Sequence, residues 1–284
     1  MKIWCCEDRS AAFVDVFRRS AIASGYDLNL IKPRPVSPPG FDKFCSVYRH
    51  LSPNPEWFEV ATFRRFFEIA ALVRPDDRFV LTDSDLVIQT PFGDLPEEIH
   101  DFSGVVASIG ATAGVLERDI NSGFSIWTGR QLRDFCDYAI ARYEAGVDDF
   151  AAYRAAQIAG GNARASISEM TVSYHWIEES GTPFLNTNRV IDGCYVDHNF
   201  LMSECLGTRF AMTLGRKTVR FTKTGIMLAT DAGVPVRPAS LHLGGRYKIM
   251  ARDLEAGSQI GLAARSLFIL AGRAGRRVLG AMRG

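Results

Sequence analysis

The chain has 284 residues, enough for one large α/β domain or two small ones whose core needs no covalent staples. Hydrophobic residues make up 47% and charged residues 23%, the balance of an ordinary globular protein and not of a disordered one. Lys plus Arg number 33 against 32 for Asp plus Glu, and a net charge of +1 carries no electrostatic footprint for nucleic acid.

Residues 2–6 read as a short buried strand. An amphipathic helix is predicted over 9–24 with Ala12, Phe13, Val16, Phe17 and Ile22 as its apolar positions, stopping near Gly25. Leu28, Leu30 and Ile31 suggest a second strand, so the first 30 or so residues have the size of a βαβ unit. The Pro-rich stretch 32–40 must be irregular. A helix is predicted over 55–73, with Asn54 as N-cap and Pro55 in the first turn. Phe58, Val60, Phe63, Phe66, Phe67, Ile69 and Leu72 wrap most of its circumference, which predicts burial. Arg64 and Glu68 share its polar wedge and can pair at i,i+4. Arg65 projects beside Phe58 and Leu72, where a buried guanidinium needs an anion, either Asp83 or a phosphate.

Arg78 to Asp85 reads as an apolar strand that runs straight into acids. Strands are further predicted at Gly104–Ile109 and Phe124–Trp127, and a helix at Arg130–Ala145. Ile167–Trp176 is mixed in its signals. Short runs at Arg209–Thr213, Thr218–Phe221 and Ile226–Ala229 suggest a small antiparallel addition. Alternation early and antiparallel pieces late predict an α/β core with a decorated C-terminal half.

Cys5, Cys6, Cys45, Cys136, Cys194 and Cys205 form no C-x-x-C pair and none sits at zinc-finger spacing from a His. The N-terminus turns acidic at Glu7-Asp8 before a long apolar run develops, unlike a signal peptide, and no run of about 18 apolar residues occurs. The expected home is a reducing cytoplasm with free thiols.

Two segments carry chemistry. Asp83-Ser84-Asp85 lies at the carboxyl end of an apolar strand, where open α/β sheets bind ligands. A D-x-D occurs about once by chance in a chain this long, and its bland reading is a solvated turn. Two hard carboxylates completed by substrate phosphates nonetheless describe a Mn²⁺ or Mg²⁺ site. His242-Leu243-Gly244-Gly245-Arg246-Tyr247-Lys248 offers an imidazole for the metal, Gly245 for close backbone approach and Lys248 as a counter-charge for a diphosphate. Singly, these are a core His, a turn Gly and a surface Lys.

D-x-D followed about 160 residues later by H-x-x-G-x-x-K resembles the retaining GT-A glycosyltransferases of the glycogenin and bacterial lipopolysaccharide-galactosyltransferase type. The resemblance spans roughly residues 1–250 and rests on short motifs in order. It implies a GT-A-type fold, a Rossmann-like mixed sheet flanked by helices. It also implies Asp83, Asp85 and His242 as Mn²⁺ ligands and a nucleotide-sugar donor, by family default a UDP-sugar, transferred with retention to a glycan or lipid-linked hydroxyl. Arg65 resembles the donor-binding Arg of the family, and Ile120-Asn121-Ser122-Gly123-Phe124 its F-N-[ST]-G segment, whose Asn contacts the donor sugar. Glu169 stands where the family places an acid beside the reacting sugar. Ser84, Gly245, Lys248 and the Cys5-Cys6 strand end complete the implied donor contacts. The bland alternatives are a turn-forming Asn121, a helix-start Glu169 and packed thiols at Cys5 and Cys6; His198 reads as a loop or core residue. Three positions depart from the family: Ile249-Met250 follow Lys248 where Pro-Trp is usual, Glu7-Asp8-Arg9-Ser10 replaces a Tyr that stacks on uracil, and Ser and Met flank Glu169.

The expected organisation is a catalytic domain over 1–255 and a C-terminal helix over 256–284. That tail has no acid, and Arg265, Arg273, Arg276, Arg277 and Arg283 alternate with Ile260, Leu262, Leu267, Phe268, Leu270, Val278 and Leu279. Two readings stand: peripheral docking on the inner face of an anionic membrane, or a helix packed on the domain with its arginines in water. The competing functions are a sugar nucleotidyltransferase, which would usually show a Gly-rich loop after the first strand, and a non-catalytic binding module.

Overall fold

The computed structural model describes residues 1–112, 115–196, 199–223 and 225–281, with backbone alone for 111, 112, 115, 116 and 273–281. His198 and Arg283 lie outside the described residues. The first strand, β1 (Lys2–Cys6), alternates its side chains as a strand must. Ile3 and Cys5 enter one core and Trp4 and Cys6 pack on another. The first helix, α1, spans Ala12–Ala23, starting three residues later than expected, after an extended Ala11 that makes no side-chain cap. Val14, Val16, Phe17 and Ala21 are buried, whereas Ile22 is exposed. Gly25, at φ +74, turns the chain by donating its amide to the Ile22 carbonyl at 2.9 Å. The second strand, β2 (Asp27–Ile31), then pairs parallel with β1 along its whole length, completing the βαβ unit.

A short helix, α2 (Phe41–Val47), follows the irregular segment where the sequence predicts none, and Phe41 and Phe44 bury it. The next helix, α3, covers Glu56–Ala70. Its N-cap is Pro55 and not Asn54, whose Nδ2 instead donates to buried Glu59 at 2.8 Å. Phe63, Phe66, Phe67 and Ile69 are buried, but Trp57, Phe58 and Leu72 are exposed, so the helix is one-sided and not enclosed. The Arg64–Glu68 pair forms at 3.0 Å, and Arg34 joins it at 2.7 Å, neutralising a fully buried carboxylate from two sides.

The chain continues through β3 (Arg78–Thr82), β4 (Leu86–Ile88), α4 (Glu97–His100), β5 (Val105–Thr112) and β6 (Val115–Thr128). Helices α5 (Gly129–Ala145), α6 (Asp148–Ala159) and α7 (Glu169–Ser180) follow, then β7 (Phe184–Asn186) and β8 (Cys194–Val196). The mixed signals at 167–176 resolve as helix, because Val172 and Trp176 pack on the sheet while Ser168 and Thr171 form a capping box. After two-residue pairings between 204 and 217 come β9 (Val219–Thr222), β10 (Gly225–Ala229) and β11 (Pro235–His242), then α8 (Ala251–Glu255) and α9 (Gln259–Ala281). Arg209–Thr213, expected as one strand, is split between two such pairings.

Six strands form a mixed sheet in the order β2-β1-β3-β6-β5-β7. The strand β1 runs parallel to β2 and β3, β6 is antiparallel to β3 and β5, and β7 is parallel to β5. Phe79, Leu81 and Trp127 face a core built with α2, α3, α5 and α7. Val80, Phe124 and Ile126 face the other core, with α1 and the β4 side. The second sheet runs β9-β10-β11-β4, with β8 parallel to β11. The architecture is therefore a mixed α/β sheet flanked by helices, with an antiparallel addition and a C-terminal helix. That helix buries Leu262 and Ile269 in a third cluster, with Leu228, Leu241 and Leu254, and Ser266 beside them; it pairs Arg265 with Asp253 at 3.1 Å and leaves Ile260, Leu267 and Phe268 exposed. Among the described residues no helix is long and apolar enough to cross a membrane.

Candidate metal and donor site

Asp83-Ser84-Asp85 joins the two sheets. Strand pairing of β3 with β6 extends one step beyond Thr82, so the Asp83 amide donates to the Gly123 carbonyl at 2.9 Å. Pairing of β4 with β11 likewise sets His242 opposite Leu86, and the Leu243 amide donates to the Asp85 carbonyl at 2.9 Å. Backbone registry of two sheets thus brings the 83–85 turn and the end of β11 together. Asp83, Asp85 and His242 each present a ligand atom, all within 4.8 Å of one another.

The charges around this cluster are closely matched. Lys248 Nζ lies 3.0 Å from Asp85 Oδ2, and His242 Nε2 lies 3.3 Å from Asp85 Oδ1. Burial alone would raise the Asp85 carboxyl, but His242 and Lys248 hold it well below the usual carboxylate range. Asp85 Oδ1 is nevertheless buried with no well-formed hydrogen bond, its near neighbour being His242 Nε2 at 3.3 Å. An orphaned carboxylate oxygen beside a second carboxylate and an imidazole fits a divalent cation such as Mn²⁺ or Mg²⁺.

Arg65 on α3 forms an ion pair with Asp83 through Nη1. Its Nη2 donates to Ser122 Oγ at 2.7 Å and meets Glu169 Oε1 at 3.0 Å. One guanidinium therefore ties the D-x-D turn to β6 and to the first residue of α7. Asn121 Oδ1 accepts the Gly123 amide at 2.6 Å, a local turn of the bland kind. A Cβ at Gly123 would stand 3.2 Å from His242 Cε1 and 2.8 Å from Asn121 Oδ1, so only a bare backbone passes the imidazole comfortably. Gly245 opens the 3-10 turn Gly245–Met250 at φ +61, a conformation that favours glycine and that leads to Lys248.

Ser84 is buried and its hydroxyl donates to Glu7, whose carboxylate also accepts from Arg9 Nε at 2.7 Å. Burial opposes ionisation of Glu7, but the Arg9 and Ser84 donors prevail and lower it. Arg9 and Lys248 both lie over the Phe13 ring, 5.3 Å and 4.8 Å from its centroid. Cys5 is in the core, and burial raises its thiol far above the ordinary range; Cys6 is pushed up to about 12, again chiefly by burial. Both thiols are neutral, Cys5 packed in the core and Cys6 half-buried. Sequence reasoning missed Glu7, Ser122, Asp119 and Thr171 as members of this network. Glu7 at the end of β1 was readable as a strand-end acid; Ser122 and Thr171 carry no signal that separates them from any other hydroxyl.

No protein-family model matches the chain, and no curated protein does. Among solved structures, the galactosyltransferase LgtC in complex with donor and acceptor sugar analogs is 14% identical, over 51% of this chain and 66% of that one, with a TM-score of 0.34. An active-site mutant of LgtC is 15% identical, over 51% and 65%, with a TM-score of 0.34. A glycosyltransferase involved in glycosylation of the major capsid of PBCV-1 is 13% identical, over 50% and 64%, with a TM-score of 0.27. The chain thus spans just under two thirds of the length of each. At these scores the likeness says nothing about activity.

Proposed function

We propose that the protein is a metal-dependent glycosyltransferase of the GT-A type, taking a nucleotide-sugar donor to a hydroxyl acceptor. The observation that carries this reading is the gathering of Asp83, Asp85 and His242 within 4.8 Å, with Lys248 on one side and Arg65 on the other. Asp83, Asp85 and His242 would hold a Mn²⁺ or Mg²⁺ ion, which supplies Lewis-acid stabilisation of a departing diphosphate. Lys248 adds a point charge to that leaving group, and the Gly245 turn lets the backbone approach it. Ser84, fixed by Glu7, and the Cys5-Cys6 backbone border the nucleoside end, for which uridine is the default. Arg65 holds Glu169 and Ser122 in register on the sugar side, with Asn121 close by. Retention of anomeric configuration belongs to the same proposal.

The test is calorimetry with UDP in the presence and absence of Mn²⁺. Wild-type protein is expected to bind UDP only with the metal, and Asp85→Ala to lose that binding while keeping its circular dichroism spectrum. Metal-independent binding, or binding unchanged in Asp85→Ala, defeats the assignment. Turnover then separates transfer, which releases nucleoside diphosphate, from nucleotidyl transfer, which consumes or releases pyrophosphate.

The domain boundary near 255 and the role of the tail belong to this proposal as well. Exposed Ile260, Leu267 and Phe268 on a segment without acids suit the interface of an anionic membrane, close to a lipid-linked acceptor. Full-length protein is expected to sediment with anionic liposomes and the 256–284 deletion to stay in solution. Failure of the full chain to sediment ends this part of the reading.

A further inference from the structure

A cleft of about 820 Å³ opens between the start of β6, α6 and the segment 162–166, with none of the metal-cluster residues in its lining. Its lining includes Glu117, Arg118, Asp119, Tyr153, Arg154 and Gln157. The guanidinium of Arg118 lies over the Tyr153 ring, 5.3 Å from its centroid, and keeps the ring in the wall. Arg154 Nε donates to the Ala165 carbonyl at 3.0 Å and fixes the facing segment. Asp119 accepts the Thr171 hydroxyl at 2.6 Å. Burial raises the Asp119 carboxyl to about 6 against that hydrogen bond, with Glu117 and Glu169 adding to the rise. Thr171 stands two residues after Glu169, which grips Arg65. The first turn of α7 therefore connects the cleft to the site already described.

The size is that of a small-molecule pocket, and the lining is unusually polar for one. Carboxylates accept from hydroxyls, guanidinium and amide groups donate to hydroxyl and ring oxygens, and an aromatic face packs against polarised C–H bonds. A saccharide offers all three partners at once. We propose that this cleft is a saccharide-binding subsite that receives the acceptor, with Asp119 and Tyr153 as its principal contacts. Its role as acceptor site rests on the glycosyl-transfer reading above, whereas saccharide binding does not.

The experiment is saturation-transfer NMR on the full chain with four probes: methyl β-galactoside, methyl α-glucoside, methyl β-N-acetylglucosaminide and methyl β-glucuronide. UDP binding with Mn²⁺ is measured on the same samples. At least one glycoside is expected to give a signal that Tyr153→Ala reduces fivefold or more and Tyr153→Phe retains, with UDP binding unchanged in both variants. Gln157→Trp, which sets a bulky ring in the cleft, is expected to reduce the same signal and stands in if Tyr153→Ala does not fold. No signal from any probe, or a signal that these variants leave unchanged, overturns the subsite. Wild-type protein that binds glycoside in a Tyr153-dependent manner but no UDP keeps the saccharide site and overturns the donor reading with its acceptor role.

Discussion

The two halves of the metal cluster reach it by different routes. Asp83 and Asp85 follow directly from β3, a buried strand in the middle of the six-stranded sheet, so their position depends on local chain and nearest-neighbour pairing. His242 ends β11 in the second sheet and arrives only because β11 pairs with the three-residue strand β4. The carboxylate pair is thus part of the main scaffold, and the imidazole is borrowed from an attached one. Metal affinity should therefore be sensitive to small disturbances on the His242 side that leave the main sheet untouched.

His242→Ala breaks that comparison most directly. It removes one proposed ligand and one close neighbour of Asp85 while leaving every residue of the six-stranded sheet in place. Mn²⁺ affinity, read by calorimetry, should fall by about 100-fold or more, beyond the 10- to 100-fold typical of merely supporting residues. Thermal unfolding without metal should move little. Equal affinity in this variant would show that the two acids bind without the second sheet.

The same division decides what the sequence discloses. A run of apolar residues that ends in Asp83-Ser84-Asp85 marks both a strand and its functional end, since burial and the acids are written in adjacent positions. Lys248 and Gly245 are legible as a motif, but not the way Lys248 meets Asp85, because Leu86, Val87 and Ile88 are too few to announce β4 and its partner is far along the chain. The strand β6 runs nine residues further toward the N-terminus than its apolar stretch Phe124–Trp127 suggests. Glu117, Arg118 and Asp119 hide it, since charged side chains on a strand that edges a cleft break the alternation that signals a half-buried sheet. Helix α6 is hidden for a related reason, with Phe150 as its one buried residue. Asn54 does not cap the helix because a buried carboxylate, Glu59, competes for its side chain more strongly than a helix amide does.

Gly123→Ala sharpens the comparison at smaller scale. The backbone at Gly123 is not in the left-handed region, so alanine costs little conformationally. Its Cβ, 2.8 Å from Asn121 Oδ1, 3.2 Å from His242 Cε1 and 3.3 Å from Nδ1, must displace the Asn121 amide and push the imidazole by a few tenths of an ångström. The fold should persist while Mn²⁺ affinity drops about tenfold, as when a ligand's orientation is disturbed without its loss. Unchanged affinity would mean that the imidazole yields freely and is not held against β6, and unfolding would mean that the site is too rigid to give way at all.

The smallest effect is expected away from the cluster, at Asp119. Its carboxyl is raised to about 6, so between roughly pH 4 and 6 the native protein binds more protons than the unfolded chain at this position. Stability contributed here is therefore full below the unfolded value near 4 and falls as pH rises through 6, the reverse of an acid held by a cation. Asn keeps an oxygen for the Thr171 hydroxyl and does not ionise. Asp119→Asn should be more stable than wild type at pH 8, with about 3 kcal/mol as the ceiling that a rise of about two pKa units allows, and the difference should vanish as the pH is lowered to about 4. Chemical denaturation at both pH values measures it. A difference that does not change with pH would show that burial is not what perturbs this carboxyl. The cleft would then be open to water around Asp119, and a contacting sugar would find a hydrated acid instead of a partly desolvated one.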